Sequence, residues 1–115
     1  MWGLGNGLVY QLYSKACDMR KSFDGLSGLV SSELGRDPLS GEVFIFLNRT
    51  GTLIKLLHWE AGGFVLYYKR LEAGSFTRPA ISQGSTVIRW SDLVLMIEGV
   101  QVKEQVQKRR FNLKE

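Results

Sequence analysis

Few residues of this sequence combine the type and the spacing that catalysis or metal binding requires. His58 is the single histidine and lies inside a predicted strand, so we expect a structural imidazole rather than a general base. Cys17 is the single cysteine, which excludes an intrachain disulfide and any zinc site built on paired cysteines. The acidic residues are scattered and match no metal-binding motif. The sequence therefore predicts a protein with no catalytic residues, no metal and no cofactor.

Aromatic and cationic side chains follow one another in the stretch FVLYYKRLE, which begins at residue 64. On a strand, Tyr68 and Arg70 share one face, and Tyr67 and Lys69 share the other. An exposed tyrosine beside a cation can stack on a base while the cation binds the phosphate. Lys55 of the preceding strand joins the Tyr67 and Lys69 side if the register allows. A strand end charged to prevent edge pairing would look the same, so both interpretations stay open.

A second pair of cations lies at the start of a predicted helix. Arg20 and Lys21 come at or just before its first turn, where free backbone amides favour anions. The pair therefore predicts a phosphate site. The alternative is that both side chains lie outside the helix and are simply solvated.

The net charge of +4 is concentrated at the C-terminal end of the sequence. Residues 103–115 hold five Lys or Arg against two Glu, while the remainder is nearly neutral. Some basic ends bind nucleic acid or another anionic surface, whereas others only increase solubility. Both interpretations stay open. The candidates for nucleic-acid contact in this segment are Lys108, Arg109 and Arg110.

The hydrophobic pattern predicts an α+β fold. Apolar residues recur at helical spacing from Phe23 to Leu34, and a second apolar helix follows Ser91. Strand-like runs span residues 42–48, 53–59 and 64–71, with short glycine-containing links between them. We expect an antiparallel meander of three to five strands with two helices packed on one face.

The length of 115 residues indicates one domain. We assign residues 1–102 to that domain and residues 103–115 to a mobile basic tail. The N-terminal residues have neither a signal-peptide pattern nor the length of apolar sequence that spans a membrane. A cytoplasmic protein without a membrane partner is expected.

Four sequence blocks appear together in one order. They are DMRKSFDGLSGLV at 18–30, LGRDPLSGEVFIFLNR at 34–49, IKLLHWEAGGFVLYYKRLE at 54–72 and IRWSDLVLMIEG at 88–99. In this order they resemble the small accessory protein of bacterial insertion sequences of the insertion-sequence-66 type. That protein is the product of the second reading frame, often named TnpB. The resemblance spans about residues 8–99.

The resemblance implies a role in transposition, in which a separate and larger protein carries the catalytic residues. It implies the cognate transposase and other proteins of the same element as partners. Two positions depart from the family pattern: His58 stands where an aromatic residue is common, and the loop NRTGT is less basic than usual. The positions of interest inside the motif blocks, besides the cations, are Asp18, Phe23, Asp24, Gly25 and Tyr68.

Two functions remain open at this point. The first is an accessory protein that contacts DNA through its cations, and the second is an adaptor that docks to the transposase without touching DNA. Their expected structures differ. DNA contact predicts that Lys69 and Arg70 lie on one continuous positive face with the Arg20 and Lys21 pair, whereas an adaptor has no such requirement.

Overall fold

The computed structural model describes residues 4–77 and 84–98, in which one mixed sheet separates two helices. The apolar runs predicted from the sequence form helices and strands in the expected order, and the run from Phe23 to Leu34 is divided between a helix and a π-helical turn. The elements are β1 (Tyr10–Ala16), α1 (Phe23–Leu29), a π-helical turn (Val30–Leu34), β2 (Val43–Leu47), β3 (Leu53–Glu60), β4 (Gly63–Arg70), β5 (Ser85–Ile88) and α2 (Trp90–Ile97).

The five strands are arranged in the order β4-β3-β2-β1-β5. Strands β2, β3 and β4 form the predicted antiparallel meander, and β5 runs antiparallel to β1. The prediction of a wholly antiparallel sheet is wrong, because β1 pairs with β2 in parallel. The physical reason is the connection: parallel neighbours need a long crossover, and α1 with its π-helical turn supplies it.

The prediction that both helices pack on one face is also wrong. Strand β2 is buried on both sides, with Val43, Ile45 and Leu47 directed to α2, and Phe44 and Phe46 directed to α1. An uninterrupted apolar strand of this kind is typical of a sheet covered on both faces. We call the side that packs on α1 the α1 face and the side that packs on α2 the α2 face.

The hairpin between β3 and β4 fixes the faces of the residues that interest us. Its turn consists of Ala61 and Gly62, both with positive φ (52° and 84°), as a tight two-residue hairpin requires. The register places Lys55 opposite Tyr68, and Leu56 opposite Tyr67.

No helix within residues 4–77 and 84–98 has the length and apolar character needed to cross a membrane.

Candidate functional site

Lys55 is a buried lysine that binds the protein's own backbone. Because it pairs with Tyr68, it lies on the α1 face, not with Tyr67 and Lys69. Its ammonium donates to the carbonyl oxygens of Met19 (2.8 Å) and Lys21 (2.7 Å) and lies 4.5 Å from the centre of the Tyr68 ring. This amine therefore holds the turn before α1 against the sheet, where carbonyls and an aromatic face surround it.

The same contacts bring three other residues that the sequence analysis singled out, Tyr68, Arg20 and Lys21, to one end of the α1 face. The Lys55 ammonium links the Tyr68 ring to the turn that carries Arg20 and Lys21. Arg70 follows Tyr68 on the same side of β4, about 7 Å further along the strand. Tyr68 is 53% exposed, so its ring is open to a ligand at this end.

The cations around Tyr68 are largely balanced by nearby carboxylates. The Arg20 guanidinium donates to both oxygens of Asp18 (2.7–3.1 Å), which holds the pKa of that carboxyl well below its usual range. Arg70 forms an ion pair with Glu72 at 3.0 Å. Lys21 is exposed and forms no ion pair with a residue of the described ranges.

Lys69 and Tyr67 lie on the opposite side of the sheet. The Lys69 ammonium donates to the carbonyl oxygen of Ile97 at 2.8 Å, which is the last residue of α2. Tyr67 is half-buried, and burial together with the charge of Glu98 raises the pKa of its phenol. The expected continuous positive face is therefore divided, with Arg70 on the Arg20 and Lys21 side and Lys69 behind the sheet.

A cavity of about 290 Å³ lies beside β4, near its hairpin turn. On the α2 side it contacts His58, and the Nδ1 atom of this buried imidazole lies 3.1 Å from Oε1 of Glu60. The sequence analysis did not pair His58 with Glu60. Their spacing could have predicted the contact, because residues two apart on a strand share a face. The cavity is lined by Leu4, Leu56, His58, Glu60, Val65, Leu66, Tyr67 and Tyr68.

Strand β4 is the outermost strand of the sheet on this side. It is eight residues long, contains no proline and pairs with β3 along its whole length. Within the described ranges no strand pairs with its other edge. The outer backbone groups of an edge strand are free to bind another extended chain.

The remaining motif positions surround the beginning of α1. Phe23 and Asp24 are exposed at its start. A Cβ atom added at Gly25 would lie 3.1 Å from Cβ of Lys21, so the glycine allows that side chain to lie close to the helix. Lys108, Arg109 and Arg110 fall outside the described residues, as does the predicted boundary at residue 102.

Within the described part of the chain, no group of three or more His, Cys, Asp or Glu side chains has an arrangement suited to a metal ion. Cys17 is a buried free thiol, and its pKa is raised mainly by that burial. The geometry of the described residues therefore directs attention to two surfaces, the Tyr68 end of the α1 face and the edge of β4 with its cavity.

Comparison with known proteins gives the chain a family. Residues 9–107 match the family described as IS66 Orf2 like protein. An uncharacterized protein of Sinorhizobium fredii, y4jC, is 30% identical over 100 residues, which cover 87% of this chain and 86% of that protein. A second one from the same strain, y4hO, is 34% identical over 83 residues, or 72% of each chain. No solved structure matches. The resemblance carried by the four sequence blocks is confirmed, and the chain belongs to the IS66 Orf2-like family of transposition accessory proteins.

Proposed function

We propose that this protein is a non-catalytic accessory factor of transposition that acts as a protein–protein adaptor in the cytoplasm. It docks to the transposase, or to another protein of the same element, along the free edge of β4. The observation that supports this proposal is the eight-residue edge strand with a cavity beside it. A partner that adds an extended segment to such an edge gains backbone hydrogen bonds and places alternate side chains in the neighbouring cavity.

The charge of the described residues favours a protein partner over DNA. The described residues hold nine Lys or Arg and nine Asp or Glu, so their formal charges cancel. Two of the nominated cations, Lys55 and Lys69, donate to backbone carbonyls inside the fold. Affinity for DNA depends on cations that replace counterions along the phosphates, and the described residues have no surplus of them.

The adaptor proposal is tested with the purified cognate transposase. We expect Val65→Lys, which fills the cavity beside β4 with a long cationic side chain, to weaken binding by about tenfold or more, because it blocks the partner's side chain. Val87→Lys is the matched control, because Val87 is 62% exposed on β5 at the opposite edge of the sheet. Circular dichroism checks that both variants fold. Equal binding by the two variants contradicts docking at β4.

A second candidate function, direct contact with DNA, is favoured by the position of the remaining charge. The net charge of +4 equals the charge of Arg78 and of residues 103–115, which carry Lys108, Arg109 and Arg110. In this alternative the C-terminal cations bind phosphates, and the exposed Tyr68 with Arg20, Lys21 and Arg70 adds to them. Exposed ion pairs such as the one between Arg20 and Asp18 are weak and can exchange for phosphate contacts.

Binding to labelled DNA from the ends of the element, measured across a salt series, tests this alternative. DNA contact predicts that reversing the charges of Lys108, Arg109 and Arg110 lowers the slope of log K against log salt by about 0.9 per lost phosphate contact. Arg36→Glu is the control, since Arg36 forms a bidentate pair with Glu42 away from the nominated surface. Binding that needs the transposase and survives the triple reversal supports the adaptor.

A further inference from the structure

We infer that the cavity beside β4 receives a lysine or arginine side chain carried by an extended segment of the partner protein. The inference rests on the proposed adaptor function and names the chemistry that the partner must present at the same edge. It follows from three properties of the described residues: the apolar lining of the cavity, the carboxylate of Glu60 that no lysine or arginine balances, and the free edge of the strand.

The cavity wall suits a long side chain with an apolar stem. Leu4, Leu56 and Val65 supply aliphatic surface, and Tyr67 supplies a half-buried ring. Lysine and arginine bury their methylene groups along surfaces of this kind and keep their charged ends in contact with polar groups or water. A cation that lies near the face of a tyrosine ring gains further electrostatic attraction.

The polar end of the cavity is acidic. Glu60 contacts the Nδ1 atom of His58 at 3.1 Å, and its side chain is 36% exposed. Since an ionised carboxylate only accepts hydrogen bonds, the His58 ring donates Nδ1–H to it. The carboxylate keeps further acceptor positions that this single contact leaves free.

No lysine or arginine of the described ranges lies within ion-pair distance of Glu60. Lys69 is on the same face of β4, but its ammonium is bound to the carbonyl of Ile97. Glu98 adds a second negative charge near the ring of Tyr67. The charge that complements this end of the cavity is therefore positive, and it must come from outside the described fold.

The free edge of β4 determines how the side chains of an added partner strand are placed relative to the cavity. A strand added to β4 alternates its side chains between the α1 face and the α2 face. The side chains that point to the α2 face pass the cavity, so one basic residue in an otherwise uncharged extended segment is enough to enter it. Recognition then has a sequence-independent part, the backbone ladder, and a specific part, the cation.

Designed peptides test the inference on the full-length protein. The probes are labelled, end-blocked nine-residue peptides that alternate threonine and valine and differ only at the central position, which is lysine, norleucine or glutamate. In fluorescence anisotropy at low salt, we expect the lysine peptide to bind about tenfold more tightly than the norleucine peptide, and the glutamate peptide to bind most weakly.

The matched variants are Glu60→Gln and Glu72→Gln. Glu60→Gln keeps an acceptor for His58 but removes the charge, so we expect the lysine and norleucine peptides to bind it equally. Glu72→Gln removes an exposed carboxylate that pairs with Arg70 on the other face, and it should keep the tenfold preference. Loss of the preference in both variants, or in neither, overturns the inference.

Other occupants of the edge give distinct results. If the lysine peptide binds only after the charges of Lys108, Arg109 and Arg110 are reversed, the chain's own C-terminal segment occupies the site. If light scattering shows a dimer that Val65→Lys dissociates, a second copy occupies it. Either result overturns the inference, as does failure of every peptide to bind.

The test separates the inference from the adaptor proposal. Equal binding of the lysine and norleucine peptides overturns the cationic specificity, while a loss of transposase binding in Val65→Lys still supports docking at β4. If Val65→Lys binds the transposase normally, the adaptor proposal itself is contradicted.

Discussion

At the scale of single residues, Lys55 shows how a charged side chain can serve the fold. It is 5% exposed, yet its ammonium has two carbonyl partners and an aromatic face. A buried charge is tolerated when its hydrogen bonds are satisfied. The sequence identified Lys55 as a cation near aromatic residues, but only the register of β3 against β4 determines which face it occupies.

We expect Lys55→Met to lower the free energy of unfolding by about 2 kcal/mol, because two carbonyls at the start of α1 lose their donor. The substitution keeps the unbranched stem. Urea denaturation measures the change, and Lys21→Met serves as an exposed control. A loss of less than about 0.5 kcal/mol would show that water replaces the amine without cost.

Tyr13 makes a second buried polar contact, and it carries a pH dependence. Its hydroxyl donates to Oε1 of Glu33 at 2.7 Å, and burial together with this carboxylate raises the pKa of Tyr13 to about 12. The unfolded chain releases this proton near pH 10. The folded state therefore binds more protons between these values, and stability falls as the pH rises.

The contribution of Tyr13 to stability is complete below about pH 10 and is lost as the pH rises through about 12. We expect the native protein to lose at least about 1 kcal/mol more than Tyr13→Phe between about pH 9.5 and about pH 11.5. Urea denaturation at both pH values checks this, with the exposed Tyr68→Phe as control. Parallel losses in the native protein and Tyr13→Phe would rule out the contribution.

At the scale of elements, α2 is bound to the sheet by a cation from another element. The last turn of α2 contains no basic residue of its own, and Lys69 of β4 donates to its terminal carbonyl instead. A positive charge at this end is also attracted by the negative end of the helix dipole, which stabilises the helix. The lysine that the sequence suggested for nucleic-acid contact thus completes a helix in the structure.

We expect Lys69→Met to reduce stability by about 1.5 kcal/mol, the lower end of the net value of a hydrogen bond to a charged group. Arg70→Met is the neighbouring control, since Arg70 pairs only with exposed Glu72 and should change stability little. Thermal unfolding followed by circular dichroism compares the two. Similar midpoints for both variants would contradict a capping role for Lys69.

Elements were predictable where local pattern determines them and not where distant pairing does. The β2–β3–β4 meander follows from apolar runs separated by short glycine-containing turns, and the helix from Phe23 to Leu34 follows from its periodicity. The parallel pairing of β1 with β2 has no local signal. The cavity beside β4 needs Leu4 and Val65, residues far apart in the sequence, and no spacing rule connects them.

At the scale of the whole molecule, two apolar cores share one sheet. Strand β2 contributes to both, and α1 and α2 cover opposite faces. Because neither core has a sheet of its own, loss of one exposes the back of the other. We therefore expect the described fold to unfold as one cooperative unit.

Two tryptophans report separately on the two sides of the sheet. Trp59 stacks edge-on against Phe64, which packs beside the α1 face, and Trp90 packs on Tyr10 at the α2 face. Variants that keep only one of them, with the remaining tryptophans changed to phenylalanine, should show the same urea midpoint by fluorescence. Separate midpoints, with each variant corrected for its own stability by circular dichroism, would show that the faces unfold independently.

The position of β1 between β2 and β5 has a consequence for synthesis. A growing chain can complete β1 to β4 before β5 and α2 exist, and until then the core around Tyr10 and Ile45 lacks the cover that Leu93, Met96 and Ile97 of α2 provide. Termination or a pause of synthesis before residue 85 is therefore expected to leave part of a hydrophobic sheet exposed, and exposed apolar surface of this kind promotes aggregation. Completion of α2 is the step that removes this exposure.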